Sequence, residues 1–179
     1  DLPTPLKTDE TFSFKIDWSY NMAAYYGRSG FEFFEEDGNY NYFVAHWFPR
    51  MAVYDDVNGW QHKQFVGNGE FALVFGDYEV DITVPDDHVL VATGECQNYN
   101  QVLSRTQRKR MEEAAKATKP VLIVTQEEAI EASKTKSTKK QTWKFKAENV
   151  RDFAFASSRR FIWDAMQTDV YNNGRKIWS

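Results

Sequence analysis

The sequence has few of the residues that build disulfides and metal sites. Its 179 residues include one cysteine, Cys96, and three histidines, His46, His62 and His88. A single cysteine excludes an intrachain disulfide but leaves the redox compartment open, because secreted proteins with a large core also persist without disulfides. No two histidines have the i,i+4 spacing of a helical zinc motif, and H-E-x-x-H is absent. We therefore expect ordinary sheet and loop histidines, with three histidines that meet in space as the alternative.

Long apolar runs and an excess of one charge are also lacking. No apolar stretch approaches the roughly 18 residues of a membrane span, so none is predicted. The net charge is −4, from 22 basic and 26 acidic residues, and this near balance argues against nucleic acid or anionic lipid as a partner. The lysines from Lys134 to Lys140 are separated by serine and threonine without aromatics, which favours a solvated loop over a nucleic-acid site.

The common catalytic motifs are missing as well. There is no G-x-S-x-G nucleophile elbow and no glycine loop that could hold a phosphate, and Cys96 has no patterned partner. Carboxylate pairs occur at Asp55–Asp56 and Asp86–Asp87, but both lie beside turn residues, where aspartates cap backbone amides. We interpret both pairs as structural, with acid–base chemistry as the alternative, and we predict no catalytic residue in this chain.

Aromatic residues, in contrast, make up 16% of the chain, which suits the pleated surface of sheets. Every second residue from Phe12 to Tyr20 is large and apolar, which predicts a half-buried antiparallel strand. Alternation over residues 78–84 is out of phase with the run before it, so a turn or a bulge is predicted at Gly76–Asp77. Residues 143–147 alternate again and predict another strand.

The densest apolar block is residues 40–60. From Tyr40 to Phe48 apolar residues occupy both faces, as in a strand that is covered on both sides. Pro49 is expected to end this strand because proline has no N–H to donate to a neighbour.

Residues 98–140 have the composition of a helical insertion into the sheet. Ser104 and Thr125 are each followed three residues later by glutamine or glutamate, the capping box that begins a helix. The apolar stripe of the first helix is thin, so we expect the segment with the two helices to be peripheral. That stripe consists of Met111, Ala114 and Ala115.

Three stretches together carry a family resemblance. They are WFPRMAVYDD at 47–56, FGDYEVDITVPDDHVLVATGE at 75–95 and NVRDFAFASSRRFIWDA at 149–165. In this order they resemble the N-terminal, non-catalytic domain of the aminopeptidase N family of zinc metallopeptidases, and a bacterial subgroup of it in particular. Where the common family form has a cysteine after the proline, this chain has Arg50.

The resemblance implies an antiparallel β-sandwich, with residues 1–179 as one domain of a larger peptidase and the helical insertion at 98–140. It implies no metal in this chain, because the family's zinc motif H-E-x-x-H and its G-x-M-E-N substrate loop belong to the next domain. The chain alone is therefore expected to be inactive. Its partner would be that catalytic domain, with peptide substrate bound through the parent protein, for which a secreted or periplasmic location is favoured.

The resemblance also implies one substrate-binding residue. In the family, a glutamine or glutamate at the end of a strand like residues 40–46 reaches the active-site cleft and helps to bind the N-terminal end of the substrate. His46 stands closest to that position, and a neutral imidazole can accept a hydrogen bond from an ammonium group. A plain strand residue is the alternative. We expect an apolar docking patch near His46, Trp47 and Trp178.

The alternative function is a stand-alone β-sandwich module that binds a partner protein or a carbohydrate. Aromatic rows can stack on a sugar only where they are exposed. The exposure of Trp18, Trp47, Trp60 and Trp143 is therefore the observation that bears on the choice.

Overall fold

The computed structural model describes residues 2, 4–24, 29–64, 67, 72–172, 174 and 176–179. The strands are β1 (Gly30–Phe34), β2 (Asn39–Val44), β3 (Val53–Asp55), β4 (Gly59–Gln61), β5 (Gly76–Pro85), β6 (Val89–Ala92), β7 (Glu95–Cys96), β8 (Val121–Val124), β9 (Lys140–Val150), β10 (Phe155–Ser158), β11 (Trp163–Ala165), β12 (Gln167–Thr168) and β13 (Ile177–Trp178). The helices are α1 (Tyr99–Val102), α2 (Arg105–Ala114) and α3 (Gln126–Thr135). In the described ranges, none of the helices is long and apolar enough to cross a membrane.

Two sheets form most of the structure. One has the strand order β1-β2-β10-β6 and the other β5-β9-β7, and their strand pairs are antiparallel. Two-stranded ribbons β3–β4, β8–β11 and β12–β13 accompany them. Residues of both sheets, of α2 and of β8 share one hydrophobic core cluster. The predicted class, mainly β with antiparallel sheets and a small helical part, is confirmed.

The strand β9 supplies the centre of this core. Trp143, Phe145 and Ala147 are buried on one face, while Lys144 and Lys146 are exposed on the other, as the alternation predicts. Burial of a side chain the size of Phe145 stabilises the fold by about 1.5–3 kcal/mol. The burial of this face therefore determines which side of β9 faces the core and which side faces the solvent.

A bulge lies at the predicted position near Gly76, but its extra residue belongs to the partner strand β9. The pairing of β5 with β9 shifts register between Gly76 and Tyr78, so that the single residue Asp77 of β5 stands opposite two residues of β9, Glu148 and Asn149. Asp77 Oδ1 accepts a hydrogen bond of 2.8 Å from the backbone N–H of Asn149, which has a left-handed φ of 54°. The bulge therefore bends β9 and leaves the alternation of β5 unchanged.

Both predicted capping boxes are present. Ser104 accepts from the N–H of Gln107, whose side chain accepts from the N–H of Ser104. Thr125 and Glu128 make the same reciprocal pair at α3. These hydrogen bonds satisfy donors that a helix start would otherwise leave unpaired.

The predicted strand over Phe12 to Tyr20 is wrong. These residues pair with no strand in the described part of the chain, and all of them are exposed. Alternation selects which side chains share a face, but a strand forms only when a second strand supplies hydrogen bonds.

The expectation that the helical segment is peripheral is also wrong. Leu103, Met111 and Ala114 belong to the core cluster, and so does Ile123 of β8. Ala114 and Ile123 are 0% exposed. The apolar stripe of α2 is thin because it contains small residues such as Ala114, and small residues let a helix pack closely against the sheet.

We predict that Met111→Ala lowers the free energy of unfolding by about 2–5 kcal/mol, because it leaves a cavity in the shared core. Urea unfolding followed by circular dichroism measures the change. The matched control is Glu112→Ala on the exposed face of α2, which should change it by no more than about 0.5 kcal/mol. Equal effects of the two substitutions would contradict a core role for α2.

Candidate functional site

His46 lies where the chain leaves the first sheet. β2 ends at Val44, before Pro49, and the next N–H, of Ala45, donates to Ser29 Oγ over 3.1 Å. His46 itself has a left-handed φ of 51°, which turns the chain away from the sheet. A non-glycine residue in this conformation is uncommon and persists where neighbouring contacts hold it.

Trp47 and Phe48 supply those contacts. The Trp47 indole Nε1 donates to the carbonyl of Phe153 over 2.9 Å, and its ring meets Phe155 edge-on at 5.6 Å. The Phe48 ring meets Tyr78 at 5.8 Å. His46 is thus fixed by two aromatic neighbours that pack against the core.

Asp152 connects His46 to Arg50. One carboxylate oxygen of Asp152 lies 3.3 Å from His46 Nδ1, and the other accepts from Arg50 Nη1 at 2.8 Å. That second oxygen also accepts from the N–H of Phe153 at 2.9 Å, while Arg50 Nη2 donates to the carbonyl of Arg151. A carboxylate at Nδ1 holds the proton there, which makes Nε2 the acceptor of the neutral ring.

An open cavity of about 310 Å³ adjoins this cluster. Arg50 and Lys63 are basic residues of its lining. Asp152 is not part of the lining and forms an ion pair with Arg50. The lining residues are His46, Phe48, Arg50, Met51, Ala52, Gln61, His62, Lys63, Ala72 and Leu73.

The predicted apolar docking patch near His46, Trp47 and Trp178 is found only in part. The His46 side chain is 37% exposed rather than enclosed. Exposed apolar side chains occur at Met51 on the rim and at Val74 and Phe75 just beyond the lining. Trp178, however, lines a different cavity, together with Cys96, Met111 and others, so it does not join His46 in one patch. The role of His46 stays a prediction.

The other candidate metal ligands each have their own partner. His62 Nδ1 lies 2.9 Å from the carbonyl of Trp60, and the buried Cys96 Sγ lies 3.5 Å from Asn98 Oδ1. His88 is buried, with Nδ1 at 3.0 Å from Ser157 Oγ. Among the residues that the structure describes, no three His, Cys, Asp or Glu side chains are grouped so that they could hold a metal ion.

Both carboxylate pairs contain a structural aspartate. Asp55 accepts from the N–H groups of Val57 and Asn58, and such bonds hold the pKa of its carboxyl below the usual value. Asp87 forms a two-pronged ion pair with Arg159 at 3.1 Å. Burial alone would raise the pKa of Asp87, but the hydrogen bonds from Arg159 and Ser137 N lower it.

Sequence reasoning missed two features. Asp152 lies within the RDFAFASS stretch that carries the resemblance, yet no local pattern connects it to His46. The second feature is an apolar cavity of about 470 Å³ between the two main sheets. It is lined by Tyr42 of β2, Ile82 of β5, Phe155 of β10, His88 and others. Each strand contributes only one face, so no single stretch of sequence indicates the cavity.

Compared with protein-family models, with curated proteins and with solved structures, the chain finds no match in any of the three.

We predict that His88 makes the free energy of unfolding decrease as the pH is lowered from about 6.5 to about 4. Burial, with the Arg159 guanidinium nearby, lowers the pKa of His88 from 6.5 to about 4. In that window the unfolded chain binds a proton that the folded chain does not, so the free energy of unfolding drops by up to about 3 kcal/mol as the pH falls.

Urea unfolding over this pH range measures the effect, and His88→Gln should flatten it. The control is His62→Gln, because His62 is exposed. A slope that is unchanged in His88→Gln would contradict the assignment to His88.

Proposed function

We propose that this chain is the non-catalytic N-terminal domain of a zinc aminopeptidase-like protein, in which it forms one wall of the substrate cleft and packs on the zinc domain. The observation that carries the proposal is the half-exposed His46, held by Asp152 beside an open cavity. The resemblance of the three ordered stretches suggested the family, and the position of His46 at the end of β2 agrees with the place where that family has its substrate contact.

The chemistry of the His46 cluster supports a role in binding the N-terminal end of a peptide. With the proton at Nδ1 facing Asp152, the neutral ring offers Nε2 as an acceptor to an ammonium group. Hydrogen bonds with a charged partner are worth about 1.5–3 kcal/mol. The ring need not reorient, because the left-handed turn and the contact of Nδ1 with Asp152 already fix it.

The rim of the cavity supports packing on a second domain. Met51 is 65% exposed, and Val74 and Phe75 are each 56% exposed. Contiguous exposed apolar patches mark interaction surfaces, and we place the docking face for the second domain at these side chains. Zinc would be bound by that second domain and would supply the activated water, while this chain would orient the substrate and cover the cleft.

The coding sequence that follows Ser179 gives the first test, since H-E-x-x-H and G-x-M-E-N should occur in it. In the full-length protein, His46→Ala should raise KM for peptides by roughly 10–100-fold with a smaller change in kcat, because it removes an acceptor used in substrate binding. His46→Gln should retain most of the affinity, since glutamine also offers an acceptor.

Trp60→Ala is the matched control, because Trp60 is an exposed aromatic outside the cavity lining. It should leave KM unchanged. A full-length protein without a zinc motif, or a His46→Ala variant with the wild-type KM, would overturn the proposal.

A carbohydrate-binding module is the second candidate, and the ribbon β3–β4 favours it. Tyr54 is 64% exposed and Trp60 55% exposed, with the rings 5.2 Å apart and edge-to-face. Of the other tryptophans, Trp18 is 41% exposed, Trp47 is half-buried and Trp143 is buried in the core. The two exposed aromatics on the ribbon offer a surface on which a sugar ring could stack.

Calorimetric titration of the chain with soluble oligosaccharides tests this candidate. Binding should be lost in Trp60→Ala and kept in His46→Ala, the reverse of the pattern expected for peptides. The absence of binding to any oligosaccharide in the panel, or equal binding by the two variants, would remove the carbohydrate function.

A further inference from the structure

Residues 12–20, the aromatic segment, alternate like a strand but pair with no strand in the described part of the chain. Phe12 and Phe14 stack at 6.0 Å, and Trp18 and Tyr20 stack at 5.8 Å. On the other face, Lys15 Nζ lies 3.0 Å from Asp17 Oδ1. The two ring-to-ring distances fit the repeat of about 6.6 Å between residues two apart in extended backbone.

The backbone of the aromatic segment is open to pairing. From Thr11 to Met22 no backbone group is hydrogen bonded within the part of the chain that the structure describes. The apolar face is exposed too, by 48% at Phe12, 57% at Phe14 and 51% at Ile16. Trp18 lies against the body, with its ring 5.6 Å from that of Trp47. An extended edge of this kind is a template for another strand.

The sequence of the segment is complementary to itself. Antiparallel pairing of two copies about Ile16 sets residue 16+k against residue 16−k of the other copy. Phe14 then faces Trp18 and Phe12 faces Tyr20, so aromatic meets aromatic on one face. On the opposite face Lys15 meets Asp17 twice, and Ser13 meets Ser19. Each of these pairings favours a sheet.

The charges select this register over its neighbours. A parallel in-register pair would set Lys15 against Lys15 and Asp17 against Asp17. An antiparallel pair shifted to either adjacent same-face register would set one of these two residues against its own copy. A shift that exchanges the faces would set aromatic against polar side chains. Of these registers, only antiparallel pairing about Ile16 sets each Lys15 against an Asp17 of the other copy.

We propose that two copies of this chain associate through residues 12–20, as antiparallel strands related by a two-fold axis at Ile16. The interface is isologous, with the same segment used by both subunits. The occupant of the open edge is thus a second copy of the chain, chosen by charge complementarity. The proposal is independent of the peptidase function, because it uses no residue of the His46 cluster.

Sedimentation velocity over about a hundredfold range of protein concentration tests the association. The wild-type chain should shift from monomer towards dimer. Asp17→Lys sets lysine against Lys15, and Lys15→Asp sets aspartate against Asp17, so each variant should raise the dissociation constant at least about fivefold. Both side chains are more than four-fifths exposed, so the folded subunit should be unaffected, as circular dichroism can verify.

Two combinations restore complementarity. The double variant Lys15→Asp/Asp17→Lys should dimerise like the wild type, and an equimolar mixture of the two single variants should form a heterodimer. A wild-type chain that stays monomeric over the whole concentration range overturns the proposal. Single variants that dimerise like the wild type, or a mixture that stays monomeric, also overturn it.

Oxidative cross-linking tests the position of the axis. Ile16→Cys should form a disulfide-linked dimer, because residue 16 faces its own copy within about 5 Å. Ser13→Cys is the matched control, since it faces Ser19 of the other copy and lies roughly 20 Å from its own copy. The native Cys96 is buried and should not react. Cross-linking of Ser13→Cys in place of Ile16→Cys would overturn the proposed register.

Discussion

Burial of one face of β9 is the constraint on which the rest of the structure depends. Trp143, Phe145 and Ala147 hold this face against the core, while the strand pairs with β5 on one side and β7 on the other. The chain that leaves β9 buries Phe153 completely, and the carbonyl of Phe153 accepts from Trp47. The position of His46 is therefore set by the same packing that stabilises the fold.

Two carboxylates organise the polar parts of the structure in different ways. Asp87 is nearly enclosed, and its oxygens are used by Arg159, Ser137 and Thr135. Its ion pair therefore serves the fold, since breaking a buried pair leaves an uncompensated charge. Asp152 is more open and directs one oxygen to the half-exposed His46. Asp152 therefore connects the core to a side chain that borders the open cavity, whereas Asp87 connects parts of the fold to one another.

Three surfaces with exposed aromatic or apolar side chains differ in their chemistry. Exposed Met51 lines the open cavity beside His46, and the proposed second domain would cover this surface. The ribbon with Tyr54 and Trp60 presents two rings and no open backbone edge of comparable length. The aromatic segment combines an apolar face with an open backbone, which is the combination that strand addition requires. Each surface therefore has its own partner class and its own test.

The sequence alone determined the features that arise between near neighbours. The capping boxes at Ser104 and Thr125 and the alternation of β9 follow from hydrogen bonds and side-chain directions within a few residues. Residues 12–20 carry the same alternation without forming a strand, because pairing needs a second strand. The depth of Met111 in the core and the contact of Asp152 with His46 were decided by the tertiary structure alone. Both join residues distant in the chain, and local propensity contains no information about which distant surfaces will pack together.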